Sequence, residues 1–132
     1  AYTTFGAGTT GAAAGLSEQK SPTDHAPHAD DEYPPLTFLR IPVIDEQDQQ
    51  IHEHFEEAIR FLSGMGEGAR AVVHCKHGQS RSATVTAAFL IHKHQWGVAE
   101  TLAYLKACRP KVCPNEGFVA QLEAFALSRG TS

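Results

Sequence analysis

The stretch from Ala71 to Ser82 constrains this chain more than any other. Ala71-Val72-Val73-His74 is short and uninterrupted enough to be a buried parallel strand. Cys75 ends it, Gly78 opens a turn, and from Ser82 to Gln95 the residues read as a largely apolar helix. A strand that passes into a helix through such a loop is suited to wrap a phosphate dianion. Cys75 would lie beneath the phosphorus, and Arg81 would fork around two of its oxygens. Lys76, His77, Gly78, Gln79 and Ser80 would turn their N–H groups inward, and the helix adds its positive end.

The rest of the composition limits what that loop can belong to. At 132 residues the chain is one domain's worth, and its 42% hydrophobic content is globular. A formal charge of −4 excludes a general nucleic-acid or membrane binder, which needs a basic field, so any anion site is local. Three cysteines, Cys75, Cys108 and Cys113, are an odd number without paired spacing. That argues against a disulfide framework and for a reducing compartment, cytoplasmic or nuclear. Neither a long apolar run nor a basic-then-apolar leader is present.

Residues 1–35 are rich in Ala, Gly, Thr and Pro and read as a low-complexity, flexible segment or loop, with 36–132 as the domain proper. Gly6-Ala7-Gly8-Thr9-Thr10-Gly11 matches a dinucleotide fingerprint, but Ala1 to Phe5 is too short for the buried strand that must precede one. The region near Asp24 is a Pro- and His-containing loop rather than a second strand, so the match is a decoy. From Leu36 the pattern changes: Leu36-Thr37-Phe38-Leu39-Arg40-Ile41-Pro42-Val43-Ile44 is dense in β-formers and reads as a strand ending near Pro42, with Asp45 directly after. Ile51, Phe55, Ala58, Ile59 and Leu62 fall on one helical face, and Ser63-Gly64 stops that helix. Strand, helix, strand closes right-handed and puts Asp45 and Cys75 on one rim. Two further helices follow, Val98 to Cys108 with Val98, Leu102 and Leu105 as its stripe, and one begun by Pro114-Asn115 with Phe118, Leu122 and Phe125 inward.

Each chemical residue has a plainer alternative. A cysteine at a strand end is often a small buried hydrophobe. Before a glycine turn, an arginine and a helix N-terminus, its thiol is instead expected to ionise and act as a nucleophile. Arg81 alone would be a surface residue, but six positions after Cys75 it suits equatorial phosphoryl oxygens. Either Asp45 or Asp48 can supply a general acid, the loop geometry favouring Asp45. Ser82 can cap the helix, stabilise a departing thiolate, or do both. The chain's eight histidines raise the question of zinc, yet Cys108 and Cys113 have no partner pair at matching spacing, so no metal site is expected. His74 is expected to hold the loop by hydrogen bonding from its strand.

Taken together, Leu39-Arg40-Ile41-Pro42-Val43 with Asp45, His74-Cys75-Lys76-His77-Gly78-Gln79-Ser80-Arg81-Ser82, and Arg109-Pro110 with Pro114-Asn115-Glu116-Gly117-Phe118 and Gln121-Leu122 resemble the dual-specificity protein phosphatases of the cysteine-dependent phosphatase superfamily. The resemblance covers about residues 36 to 127. It implies an α/β fold, a mixed sheet flanked by helices, whose early strands are not legible in residues 1–35. It also implies Cys75 as nucleophile, Arg81 as phosphate ligand, Asp45 as general acid, Ser82 as an aid to thiolate departure and Asn115 as a brace for the phosphate loop. The implied reaction is hydrolysis of phosphotyrosine, phosphoserine and phosphothreonine in a protein substrate, without cofactor or metal. A truncated or inactive domain that binds phosphorylated partners is the alternative, as is a phosphatase for a non-protein phosphomonoester. Oligomeric state is not legible.

Overall fold

The computed structural model describes the backbone of Thr3–Gly8 and residues 36–130. Among the described residues three strands form one sheet in the order β2-β1-β3, with β1 at Thr3–Gly8, β2 at Thr37–Ile41 and β3 at Arg70–His74. Because β1 runs antiparallel to both neighbours, β2 and β3 are parallel to each other. Ile41 pairs with Thr3 and His74 with Thr4, so both carboxyl ends reach one edge of the sheet. The segments carrying Asp45 and Cys75 therefore leave from the same rim, as the strand-helix-strand pattern requires.

The middle strand corrects the sequence reading, which found no strand in residues 1–35. Gly6 and Gly8 weaken β-propensity, but a strand paired on both sides has its N–H and C=O groups satisfied whatever its side chains are. The same pairing disposes of the dinucleotide fingerprint. Gly6 and Gly8 lie within a ladder instead of in the tight turn after a strand, while Gly11 and Asp24 fall outside the described residues.

A 3₁₀ turn at Ile51–His54 leads into α1 (Phe55–Ser63), and Ile51, Phe55, Ala58, Ile59 and Leu62 are all buried along the expected face. The central helix is α2 (Arg81–His94), which packs against β3, α1, α3 (Val98–Cys108) and α4 (Glu116–Ser128). Its residues from Arg81 to Val85 are all buried, the mark of a helix enclosed on every side. Buried Thr84 stays satisfied by donating its hydroxyl to Ser80 O at 2.7 Å. The helix stops one residue before Trp96-Gly97, at Gln95, which takes a left-handed conformation (φ 61°) without being glycine.

Phe55, Phe118, Ile91 and Leu122 have no more than 1% exposure and anchor the core between α1, α2 and α4. Each contributes about 1.5–3 kcal/mol by burial. In α3 the stripe shifts by one position: Val98 and Thr101 are buried, and Leu102 and Leu105 only partly so. In α4, Phe118 and Leu122 are enclosed as expected, and Phe125 packs at the core's margin, edge-on to Phe55 at 5.1 Å.

Candidate active site

Cys75 is the first residue beyond β3, and its sulfur lies over the first turn of α2. Ser80 occupies the N-cap position but makes no side-chain cap bond. One of the N–H groups left open there goes to sulfur, with Ser82 N–H donating to Cys75 Sγ at 3.4 Å. The Ser82 hydroxyl lies 3.3 Å from the same sulfur. Partial burial pushes this thiol up, but the Ser82 hydroxyl and the N–H groups of Ser82, Gly78 and His77 favour the thiolate and together lower its pKa below the ordinary value. Ser82 thus serves the sulfur and not the helix end.

Arg81, the first residue of α2, is 4% exposed. Its Nη1 donates to Val43 O at 3.3 Å, fastening the loop to the segment after β2. Its Nε–H is buried and meets no acceptor among the described residues. A buried guanidinium with an open donor is costly unless an anion completes it.

The rest of the loop is shaped by neighbours. Gly78 has φ +66°, a left-handed conformation that favours glycine, and the exposed Arg109 guanidinium lies over it, 2.7 Å from where a Cβ would stand. Gln79 O accepts from Cys113 N–H at 2.7 Å, and the buried Ser80 hydroxyl accepts from Asn115 N–H at 3.0 Å. Lys76 and His77 are exposed and line a cleft of ≈ 400 Å³ together with Cys75, Leu105, Cys108, Arg109 and Lys111. His74 Nε2 is buried and meets no partner among the described residues, so this atom gives the loop none of the hydrogen bonding expected of it. That work is done by Ser80, Gln79 and Arg81.

On the other side of the site, Asn115 caps α4 by accepting from Phe118 N–H at 2.8 Å, and its Nδ2 donates to Asp45 Oδ1 at 2.9 Å. One residue thereby touches the cysteine loop, the helix start and the expected acid. Asp48 is exposed, and only its backbone carbonyl is engaged, by Gln50 Nε2 at 3.4 Å. Geometry therefore joins Asp45, and not Asp48, to the cysteine loop. Among the described residues no three His, Cys, Asp or Glu side chains gather as a metal site.

Three contributors carried no role in the sequence reading: Arg109, Gly117 and Gln121. Gly117 touches the backbone of Gln47, whose carbonyl oxygen would stand 2.1 Å from an added Cβ. Gln121 Nε2 donates to Gln49 O at 2.8 Å, and its Oε1 accepts from His52 N–H at 2.9 Å. A signal was available. A glycine just after an Asn N-cap marks a place where another backbone can come close, and Gln121 lies four residues on, over the same face.

Comparisons with known proteins agree with this geometry. The family described as "Dual specificity phosphatase, catalytic domain" matches residues 17–127, beginning upstream of the Leu36 boundary. Dual specificity protein phosphatase 1 of Arabidopsis thaliana is 34% identical over 80% of this chain and 52% of its own length. Dual specificity protein phosphatase 15 of Homo sapiens is 41% identical over 68% of this chain and 31% of its own. Among solved structures, a crystal structure of DUSP15 superposes with a TM-score of 0.58 at 35% identity, covering 69% of this chain and 59% of that one. The human tyrosine phosphatase-like serine/threonine/tyrosine-interacting protein gives 0.66 at 26% identity, covering 69% and 61%. The chain thus spans about half or less of these curated relatives.

Proposed function

Because this chain belongs to the dual specificity phosphatase catalytic-domain family, we propose that it hydrolyses phosphotyrosine and phosphoserine or phosphothreonine in protein substrates through a phosphocysteine intermediate. The observation that carries this reading is the Cys75 sulfur, which meets the Ser82 hydroxyl and backbone N–H groups that outweigh its burial. In the first step the thiolate attacks phosphorus, forming the S–P bond as the P–O bond to the leaving group breaks. The open Nε–H of Arg81 and the loop N–H groups of residues 76–80 hold the phosphoryl oxygens. Asp45 gives its proton to the departing oxygen, held towards the loop by Asn115. In the second step Asp45 takes a proton from water, the water oxygen attacks phosphorus, and the sulfur leaves as thiolate, received by the Ser82 hydroxyl.

Residues 36–132 are proposed to hold this chemistry. The three free cysteines suit a reducing compartment, cytoplasmic or nuclear. The cations Lys76, Arg109 and Lys111 around the cleft favour a second reading, a more strongly anionic non-protein phosphomonoester. The test is turnover of an aryl phosphate with chelator present. Cys75→Ser is expected to abolish it, and Asp45→Asn to slow it by about 10²–10⁴-fold. Saturable phosphopeptide binding with no turnover would replace the enzyme by a binding domain. A comparison of kcat/KM across phosphopeptides and small anionic phosphomonoesters decides between the substrate classes.

A further inference from the structure

The segment that carries Asp45 has almost no core of its own: residues 44–48 are exposed. It is held by polar contacts, and these converge on one face of α4. Gln121 donates to Gln49 O at 2.8 Å. The Gln49 side chain in turn accepts from Ile44 N–H at 3.3 Å, and Ile44 directly precedes Asp45. The Gln121 Oε1 also accepts from His52 N–H and lies 2.9 Å from His52 Nδ1, fixing the far end of the segment. Between these ends, Gly117 lets the Gln47 backbone rest directly on the first turn of α4. Among the described residues, Asn115 alone is bonded to the carboxylate.

We propose that Gln121 is a positioning residue for the general acid, setting the place of Asp45 through Gln49 and Ile44 without touching substrate. Gly117 supplies the close approach this needs. The proposal rests on the phosphatase reading above, and it assigns the Gln121 and Gly117 positions of α4 to proton transfer, not to phosphate binding. Its consequence is specific. Loosening the exposed stretch beyond Val43 impairs chiefly substrates whose leaving oxygen must be protonated, because Cys75 and Ser82 hold each other and Arg81 is fastened at Val43, which is buried in the core.

The experiment compares phenyl phosphate, whose phenoxide needs a proton, with a dinitrophenyl phosphate, whose leaving group departs as the anion. Gln121→Ala should lower kcat/KM about tenfold for the first and by no more than about threefold for the second. In an Asp45→Asn background the same substitution should cost less than about twofold on either, since the two act on one function. The pH profile of Cys75 alkylation should not move. Gln49→Ala, which removes the acceptor for Ile44 N–H outside the core, should reproduce the split between substrates even if Gln121→Ala fails to fold. Equal losses on both substrates, or full additivity with Asp45→Asn, would overturn the proposal while leaving the phosphatase reading intact. Turnover that survives Cys75→Ser would remove both.

Discussion

Burial alone drives a thiol towards its neutral form, and at Cys75 hydrogen bonds from Ser82, Gly78 and His77 reverse the sign. Because the folded pKa lies below that of the unfolded chain, the thiolate contributes stability above the unfolded thiol's pKa. That contribution fades as pH falls through the folded value. Alkylation of Cys75 by iodoacetamide, followed against pH, should therefore persist at lower pH than for an unstructured thiol peptide. Ser82→Ala should move the inflection upward, since it deletes the largest of the favourable contacts, and an unmoved inflection would assign the lowering to other groups. Cys75, Arg81 and Ser82 were legible in the sequence because their spacing encodes the chemistry. That His74 Nε2 meets no partner among the described residues was not, since it depends on which groups tertiary packing brings near.

Among the elements, α4 joins the two halves of the site. Its N-cap is read directly from Pro114-Asn115 with Glu116, and its apolar stripe from Phe118 and Leu122. Its polar face was not legible, because Gln121 looks like any solvated helix residue until the Gln49 carbonyl is placed beside it. Likewise β1 is invisible from composition and exists through pairing on both sides. Asn115 separates capping from positioning. Asn115→Ala should destabilise by about 1 kcal/mol through the lost cap and also release Asp45 and lower turnover. Asn115→Asp keeps the acceptor for Phe118 N–H and should unfold within about 0.5 kcal/mol of the parent, near the spread among good capping residues. It nevertheless sets a second carboxylate against Asp45, so turnover should still fall. Thermal unfolding beside kcat/KM reads both effects; unchanged turnover in Asn115→Asp would remove the Asn115–Asp45 bond from the account.

At the scale of the whole molecule, the helices are closed by contacts far from the rim. Arg129, just after α4, donates to Glu56 of α1, lies 2.7 Å from His92 Nδ1 of α2 and covers the Phe125 ring at 4.6 Å. Glu56 is exposed, so its ion pair contributes little. The hydrogen bond and the ring contact together contribute about 1–2 kcal/mol. Arg129→Ala should lower Tm by about 4–7 °C for a chain of this size, without altering the alkylation profile of Cys75. A shifted profile would mean that the clamp and the site are coupled. Helix order and core were readable from periodicity, whereas this clamp joins residues scattered from Glu56 to Arg129 and has no local pattern. The whole mechanism turns on Cys75 carrying the phosphoryl group during turnover. Acid quenching of the Ser82→Ala protein during steady-state hydrolysis, followed by peptide mass spectrometry, should find a phosphoryl adduct on the peptide containing Cys75. Turnover with no adduct there, persisting in Cys75→Ser, would contradict the account.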